Sequence, residues 1–309
     1  MNLQFLKKYT EGGQIIALTL LVLTFGLFIS LLGVLIAAAF VDGSILSRIE
    51  LMNNMEYAGD LSLMKYFQIV SQFGFFILPA LVFGFLVNKN LFSFFKLQKL
   101  PNWGFLVLSL LIISLAIPFS DWLIYQNNLM KLPESLASLE SWMRNAEEKA
   151  AEMTNIFLQM DHWTDYLINM LMVGVLAALG EELLLRGAFQ PLLIKVFKNA
   201  HIGVWMAAFL FSFIHFQFYG FFARLFLGAV LGYLFYYTNN LWVPILAHFF
   251  NNGLAVTYVY ISNTPLYSTN MDQVETDPIP TIYALLSLSM VVLGVFVLRF
   301  YGRRKLNLE

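Results

Sequence analysis

Residues 167–187 read LINMLMVGVLAALGEELLLRG, a run apolar enough to dissolve in lipid until it meets two adjacent carboxylates, Glu181 and Glu182, and then Arg186. Placing a charged side chain at the centre of a bilayer costs about 2.5 kcal/mol even on the mildest scale. A charge cluster at that place therefore needs partners inside the protein, and finding them decides the fold.

The rest of the chain is equally greasy. Of 309 residues, 59% are hydrophobic and 12% charged, with a mean hydropathy of +0.71, whereas soluble domains carry about 25% charged residues. This is the composition of an integral membrane protein. Cysteine is absent, which excludes a disulfide framework, a thiolate nucleophile and a thiolate metal site. A removable signal peptide is not expected, because the first apolar run, 14–41, is charge-free and lacks a small-residue cleavage site.

Crossing a hydrocarbon core takes about 20 helical residues. Runs of that kind lie at 14–41, 66–87, 100–120, 202–223, 242–262 and 279–298; less clean ones lie at 166–186 and 225–240. The expected fold is all-α, a polytopic membrane protein with eight transmembrane helices. Loop charges alternate in step with that count. One side collects Lys7, Lys8, Lys89, Lys96, Lys99, Lys195, Lys198, Arg299, Arg303, Arg304 and Lys305, while the other is acidic, with Asp272, Glu275 and Asp277 in the last loop. By the positive-inside rule both termini are cytoplasmic, and a bacterial inner membrane is the expected location. The loop after the third crossing contains LPESLASLESWMRNAEEKAAEM (132–153), whose apolar positions recur at helical spacing among charges. It reads as an amphipathic helix at the membrane surface. Three regions are expected: 1–165 with three crossings and this outer segment, 166–262 with the charged cluster, and 263–309 with the last crossing and a basic tail.

Once loop charges are assigned, the ionised groups left within crossings are Asp121, Glu181, Glu182, Arg186 and Arg224. Asp121 and Arg224 fall near predicted helix ends, where snorkelling explains them. On a helix Glu182 and Arg186 are i, i+4 with the acid first, the favourable order for an ion pair; Glu181 points about 100° away and is left over. A structural salt bridge would account for one acid of the two. A carboxylate without a counter-charge in a poorly solvated place is suited to general acid or base work. His215, inside FLFSFIHFQF, and His248, inside VPILAHFFNNG, also lie in apolar runs, and Asn252 follows His248 by one helical turn. His162 and His201 fall at helix ends and read as solvated surface. Three separate crossings thus each offer polar groups to one place.

EExxxR (Glu181, Glu182, Arg186), FxxxH (Phe211, His215) and HxxxN (His248, Asn252), in this order and each on its own helix, resemble the CAAX-protease and bacteriocin-processing family of intramembrane endopeptidases, also called Abi. The resemblance covers about 165–262 and includes the turn NNLWVPILAH. It implies a glutamate-type endopeptidase that cleaves a peptide bond near the membrane surface. Glu181 and His215 would activate a water, His248 and Asn252 would stabilise the oxyanion, and Glu182 with Arg186 would hold the helix; Phe211 is expected to pack. No cofactor is implied by that reading. A zinc form of the same protease would use Glu181, His215 and His248 as ligands. A proton-coupled transporter or a non-cleaving bacteriocin-immunity scaffold are the readings from other classes. The expected partners are the bilayer and a peptide or protein substrate, with or without a lipid, and no nucleic acid.

One difficulty lies in depth. If the fourth crossing stops at Arg186, Glu181 sits near its end, whereas His215, about 13 residues into the next crossing, would be about 20 Å deeper by helix rise. The two meet if the fourth helix is longer or bent, continuing through GAFQPLLIKVF to Phe197 with Pro191 as a kink.

Overall fold

The computed structural model describes residues 4–40, 44, 61–266 and 279–306. The acidic residues Asp272, Glu275 and Asp277 and the side chains of Arg303, Arg304 and Lys305 lie outside the described ones. The architecture is all-helical: α1 (Glu11–Phe40), α2 (Leu61–Val87), α3 (Trp103–Asn128), α4 (Ala137–Phe157), α5 (Trp163–Phe197), α6 (Ala200–Phe213), α7 (Phe221–Thr238), α8 (Trp242–Ser262) and α9 (Thr281–Leu306). Among the described residues, six of these are long and apolar enough to cross a membrane: α1, α2, α3, α5, α7 and α9. This corrects the expected count of eight. Helix α6 has 14 residues, about 21 Å at 1.5 Å per residue, short of a hydrocarbon core. Helix α8 has 21 residues, but His248, Asn251 and Asn252 dilute its apolar character.

The apolar run 202–223 is likewise two elements. Helix α6 ends at Phe213 and α7 begins at Phe221, with the loop 214–220 between them. His215 therefore belongs to this loop and not to a helix, a further correction. The chain turns there because Phe216 adopts a left-handed φ of 51° and the main-chain N–H groups of His215 and Phe216 fold back onto Ser212 and Phe213. Apolarity alone does not reveal such a break.

Helix α5 supplies the length that the depth problem requires, running unbroken from Trp163 to Phe197. It is not a regular α-helix. Residues Met170–Leu176 and Leu183–Phe189 are π turns, and α2 has a third at Gln72–Ile77. Two of them stop two residues before a proline, Pro79 and Pro191. A proline lacks the N–H that would continue the ladder and its ring crowds the carbonyl four residues back; a widened turn just ahead relieves both. Bulges of this kind recur at functional sites, and Arg186 lies within one of them.

With lipid on the outside, burial of apolar surface does little to bring helices together, and close packing through small residues takes over. Gly26 and Gly33 of α1 face Phe75 and Val70 of α2 so closely that a Cβ would overlap the rings and methyls. At Gly203 of α6 a Cβ would stand 2.6 Å from the main-chain nitrogen of Ile194, so the α5–α6 crossing is nearly backbone on backbone. The turns between these elements are tight. Lys198 at φ 50° closes α5, and Asn199 caps α6 by accepting the N–H groups of His201 and Ile202. At the same end, the loop after α7 and the first residue of α8 are pinned to the loop after α2: Asn240 donates to the Lys99 carbonyl (2.8 Å) and the Trp242 indole to that of Leu97 (3.2 Å).

Candidate active site

The buried centre lies where α5, α7, α8 and the end of α6 meet. Glu182 and Arg186 are wholly buried, and Glu181 and His248 nearly so. The Arg186 guanidinium donates to Glu182 Oε1 at 2.6 Å, and the same oxygen lies 2.8 Å from His248 Nδ1. His248 Nε2 faces Glu181 Oε2 at 3.8 Å. One imidazole therefore stands between the two carboxylates that the sequence places side by side, because a 100° turn per residue sends Glu181 and Glu182 to its two nitrogens. With both acids ionised and Arg186 charged, this group carries one negative charge. A single proton, on His248 or on Glu181, makes it neutral.

Phe211 is the hub of the remaining contacts. The Arg186 guanidinium lies 4.8 Å from its ring centroid, a cation over an aromatic face, and its edges meet His215 at 5.0 Å and His248 at 5.8 Å between centroids. His215 is half-buried, with Nδ1 2.7 Å from the Phe211 carbonyl. A carbonyl only accepts, so Nδ1 carries the proton and Nε2 is left as the basic nitrogen. Asn252, one turn after His248, donates to the Val173 carbonyl at 3.0 Å, inside the first π turn of α5, and accepts from Asn251. Its second amide hydrogen is not used by that bond. The structure thus gathers Glu181, Glu182, Arg186, Phe211, His215 and His248 through one ring, and sets Asn252 one turn along α8.

A metal would need three of the acidic or imidazole groups turned to a common point. Among the described residues no three His, Cys, Asp or Glu are so grouped, and Glu181, His215 and His248 do not form the set that the zinc reading requires.

Sequence reasoning passed over the floor of the site. Arg186 and Gln190, one turn apart on α5, donate to the carbonyls of Gly228 (2.9 Å) and Gly232 (3.0 Å), one turn apart on α7. A side chain at Gly228 would press on Phe211 and on the Ala208 backbone. The signal was legible as GAVLG, a small-xxx-small pair in an apolar helix. Asn127 and Glu147, which bind the loop carrying His215, left no comparable trace, since nothing in their local sequence marks a partner some 70 to 90 residues away.

Residues 163–254 match the family model described as type II CAAX prenyl endopeptidase, Rce1-like. An 85-residue stretch is 32% identical to the uncharacterized protein YpbD of Bacillus subtilis (strain 168); it is 26% of this chain and spans 40% of that protein. No solved structure matches the chain. The matched segment contains Glu181, Glu182, Arg186, Phe211, His215, His248 and Asn252, and over residues 163–254 the chain is similar to the Rce1-like type II CAAX prenyl endopeptidase family.

Proposed function

We propose that this protein is an intramembrane endopeptidase that hydrolyses a peptide bond of a membrane-associated protein by general-base activation of water. The observation that carries this reading is the buried imidazole of His248 between Glu181 and Glu182, beside a second imidazole whose basic nitrogen is free of its intramolecular bond.

In this mechanism Glu181, assisted by His215 Nε2, takes a proton from a water as the water oxygen attacks the scissile carbonyl. Negative charge then develops on the carbonyl oxygen. His248, as imidazolium, and the second N–H of Asn252 donate to it, and each such donor contributes roughly 3 kcal/mol in other hydrolases. Collapse of the tetrahedral intermediate breaks the C–N bond, and the proton held by Glu181 passes to the departing amine. Glu182 accepts the Nδ1–H of His248 from behind and so orients the ring, as second partners of catalytic histidines do, and Arg186 pairs with Glu182 while tying α5 to α7. The basic end carrying Lys96, Lys99, Lys195 and Lys198 faces the cytoplasm of a bacterial inner membrane in this reading, with both termini on that side. The substrate is a protein at the membrane, of which a prenylated CAAX tail is the form suggested by the family description.

The test compares the membrane peptidome of host cells carrying the wild type or Glu181→Gln. Loss of a general base lowers turnover about 100- to 10,000-fold, so peptides present with wild type should vanish with the variant. Identical peptidomes would refute hydrolysis by this site. Activity of the purified protein after dialysis against a chelator is expected to be unchanged.

A further inference from the structure

The loop 214–220 brings His215 to the site. Its main chain is bound from outside. Glu147, on the outer helix α4, is buried, and its Oε2 accepts the N–H of Tyr219 at 3.1 Å, with the N–H groups of Phe218 and Gly220 also facing the carboxylate. Asn127, the penultimate residue of α3, donates to the Phe218 carbonyl at 2.7 Å. Arg224, at the start of α7, donates to that of Gln217 at 2.6 Å. Two aromatic contacts close the grip: Trp142 against Phe218, with centroids 5.2 Å apart, and the Arg144 guanidinium 4.9 Å from the centre of Tyr219.

Helix α4 has the composition of a surface helix, and a helix that merely lies on lipid has no reason to bury an acid. A buried carboxylate is costly unless its oxygens are bonded, and here the main-chain N–H groups of the loop do the bonding. Glu147, Trp142, Arg144 and Asn127 all precede the segment that matches the family, 163–254. We infer that α4 is a clamp specific to the N-terminal part of this chain, with Glu147 the positioning residue that sets the loop and hence the imidazole of His215. This rests on the endopeptidase reading for its catalytic meaning, but the clamp itself is a structural relation that can be measured without a substrate. Burial pushes the Glu147 carboxyl above the ordinary carboxylate range while its main-chain donors and Arg224 pull it back. Glutamine, which keeps one acceptor oxygen without the charge, is therefore a meaningful replacement.

The experiment uses the full chain purified in detergent as wild type, Glu147→Ala, Glu147→Gln and, as a control on the exposed side of the same helix, Glu152→Ala. Two quantities are read: deuterium exchange of the amides of residues 218–220, and the rate at which diethylpyrocarbonate modifies His215 relative to His201, resolved by mass spectrometry. Glu147→Ala should speed exchange at these amides at least tenfold and change the His215 rate severalfold with His201 unmoved. Glu147→Gln should recover a substantial part of both, and Glu152→Ala should alter neither. Unchanged exchange in Glu147→Ala overturns the clamp, and faster exchange with an unaltered His215 rate overturns the positioning role. A native peptidome with Glu181→Gln would instead refute the endopeptidase reading, and these two readouts would still judge the clamp.

Discussion

Arg186 is the residue on which the buried charges depend. It neutralises Glu182, reaches the Gly228 carbonyl and covers the face of Phe211. Removing one member of a buried ion pair costs about 3–5 kcal/mol, because the other is left charged and unpaired. Arg186→Met should therefore lower the thermal midpoint of the purified protein strongly, and adding Glu182→Gln should restore part of it. No recovery in the double variant would mean that Glu182 is not the carboxylate Arg186 neutralises. Glu140 of α4 offers the pH test. Its carboxylate accepts the Leu132 N–H (2.8 Å) and then the Arg144 guanidinium (3.0 Å), which hold it below the ordinary glutamate range. A carboxyl lowered in the folded state adds stability above its unfolded value, and this is lost as pH falls through the folded value. Protection of the Leu132 amide, corrected for intrinsic exchange, should be level through the ordinary glutamate range, about pH 4.3, and fall only as pH drops below it. Glu140→Gln should abolish that step.

At the scale of elements, irregular turns do much of the positioning. Pro118 interrupts the ladder of α3, and a residue of α9 repairs it: the Phe119 N–H donates to Ser287 Oγ at 3.2 Å, while the same hydroxyl donates to the Leu115 carbonyl. The hydroxyl stands in for the bond that a regular helix would make, and so ties the last helix to the third. Ser287→Ala leaves a buried donor and acceptor unmet and should destabilise by about 1 kcal/mol, measurable as a fall in the thermal midpoint; Ser289→Ala, whose hydroxyl returns to its own helix at Leu285, should have no such effect. The π turns act similarly. The one at Leu183–Phe189 brings Arg186 to Glu182 and Gly228 while accommodating Pro191, and the one at Met170–Leu176 offers the carbonyl that Asn252 holds.

For the whole molecule, the two ends differ. The loops after α2, α5 and α7 form one, and α4 with the 214–220 loop forms the other. The chain has no cysteine, so single cysteines can be introduced without background. With the basic end cytoplasmic, Lys149→Cys on α4 should react with a membrane-impermeant maleimide in intact spheroplasts, and Lys96→Cys only after lysis; the opposite pattern would reverse the orientation.

Hydropathy along the chain determined the class of fold, since long charge-free runs have no other stable home than a bilayer, and it showed that Glu181, Glu182 and Arg186 need internal partners. The i, i+4 spacing also made the Glu182–Arg186 pair legible, because a helix converts spacing directly into direction. The number of helices able to span did not follow from apolarity: among the described residues six qualify where eight were expected, for a break such as that at Phe216 is a matter of backbone geometry in a uniformly apolar run. Nor could spacing tell that His248 stands between the two acids, or that Glu147 holds the loop of His215. Those pairings join residues far apart in the chain, and only the packing of helices against one another, through glycines that let their backbones approach, decides which distant groups meet.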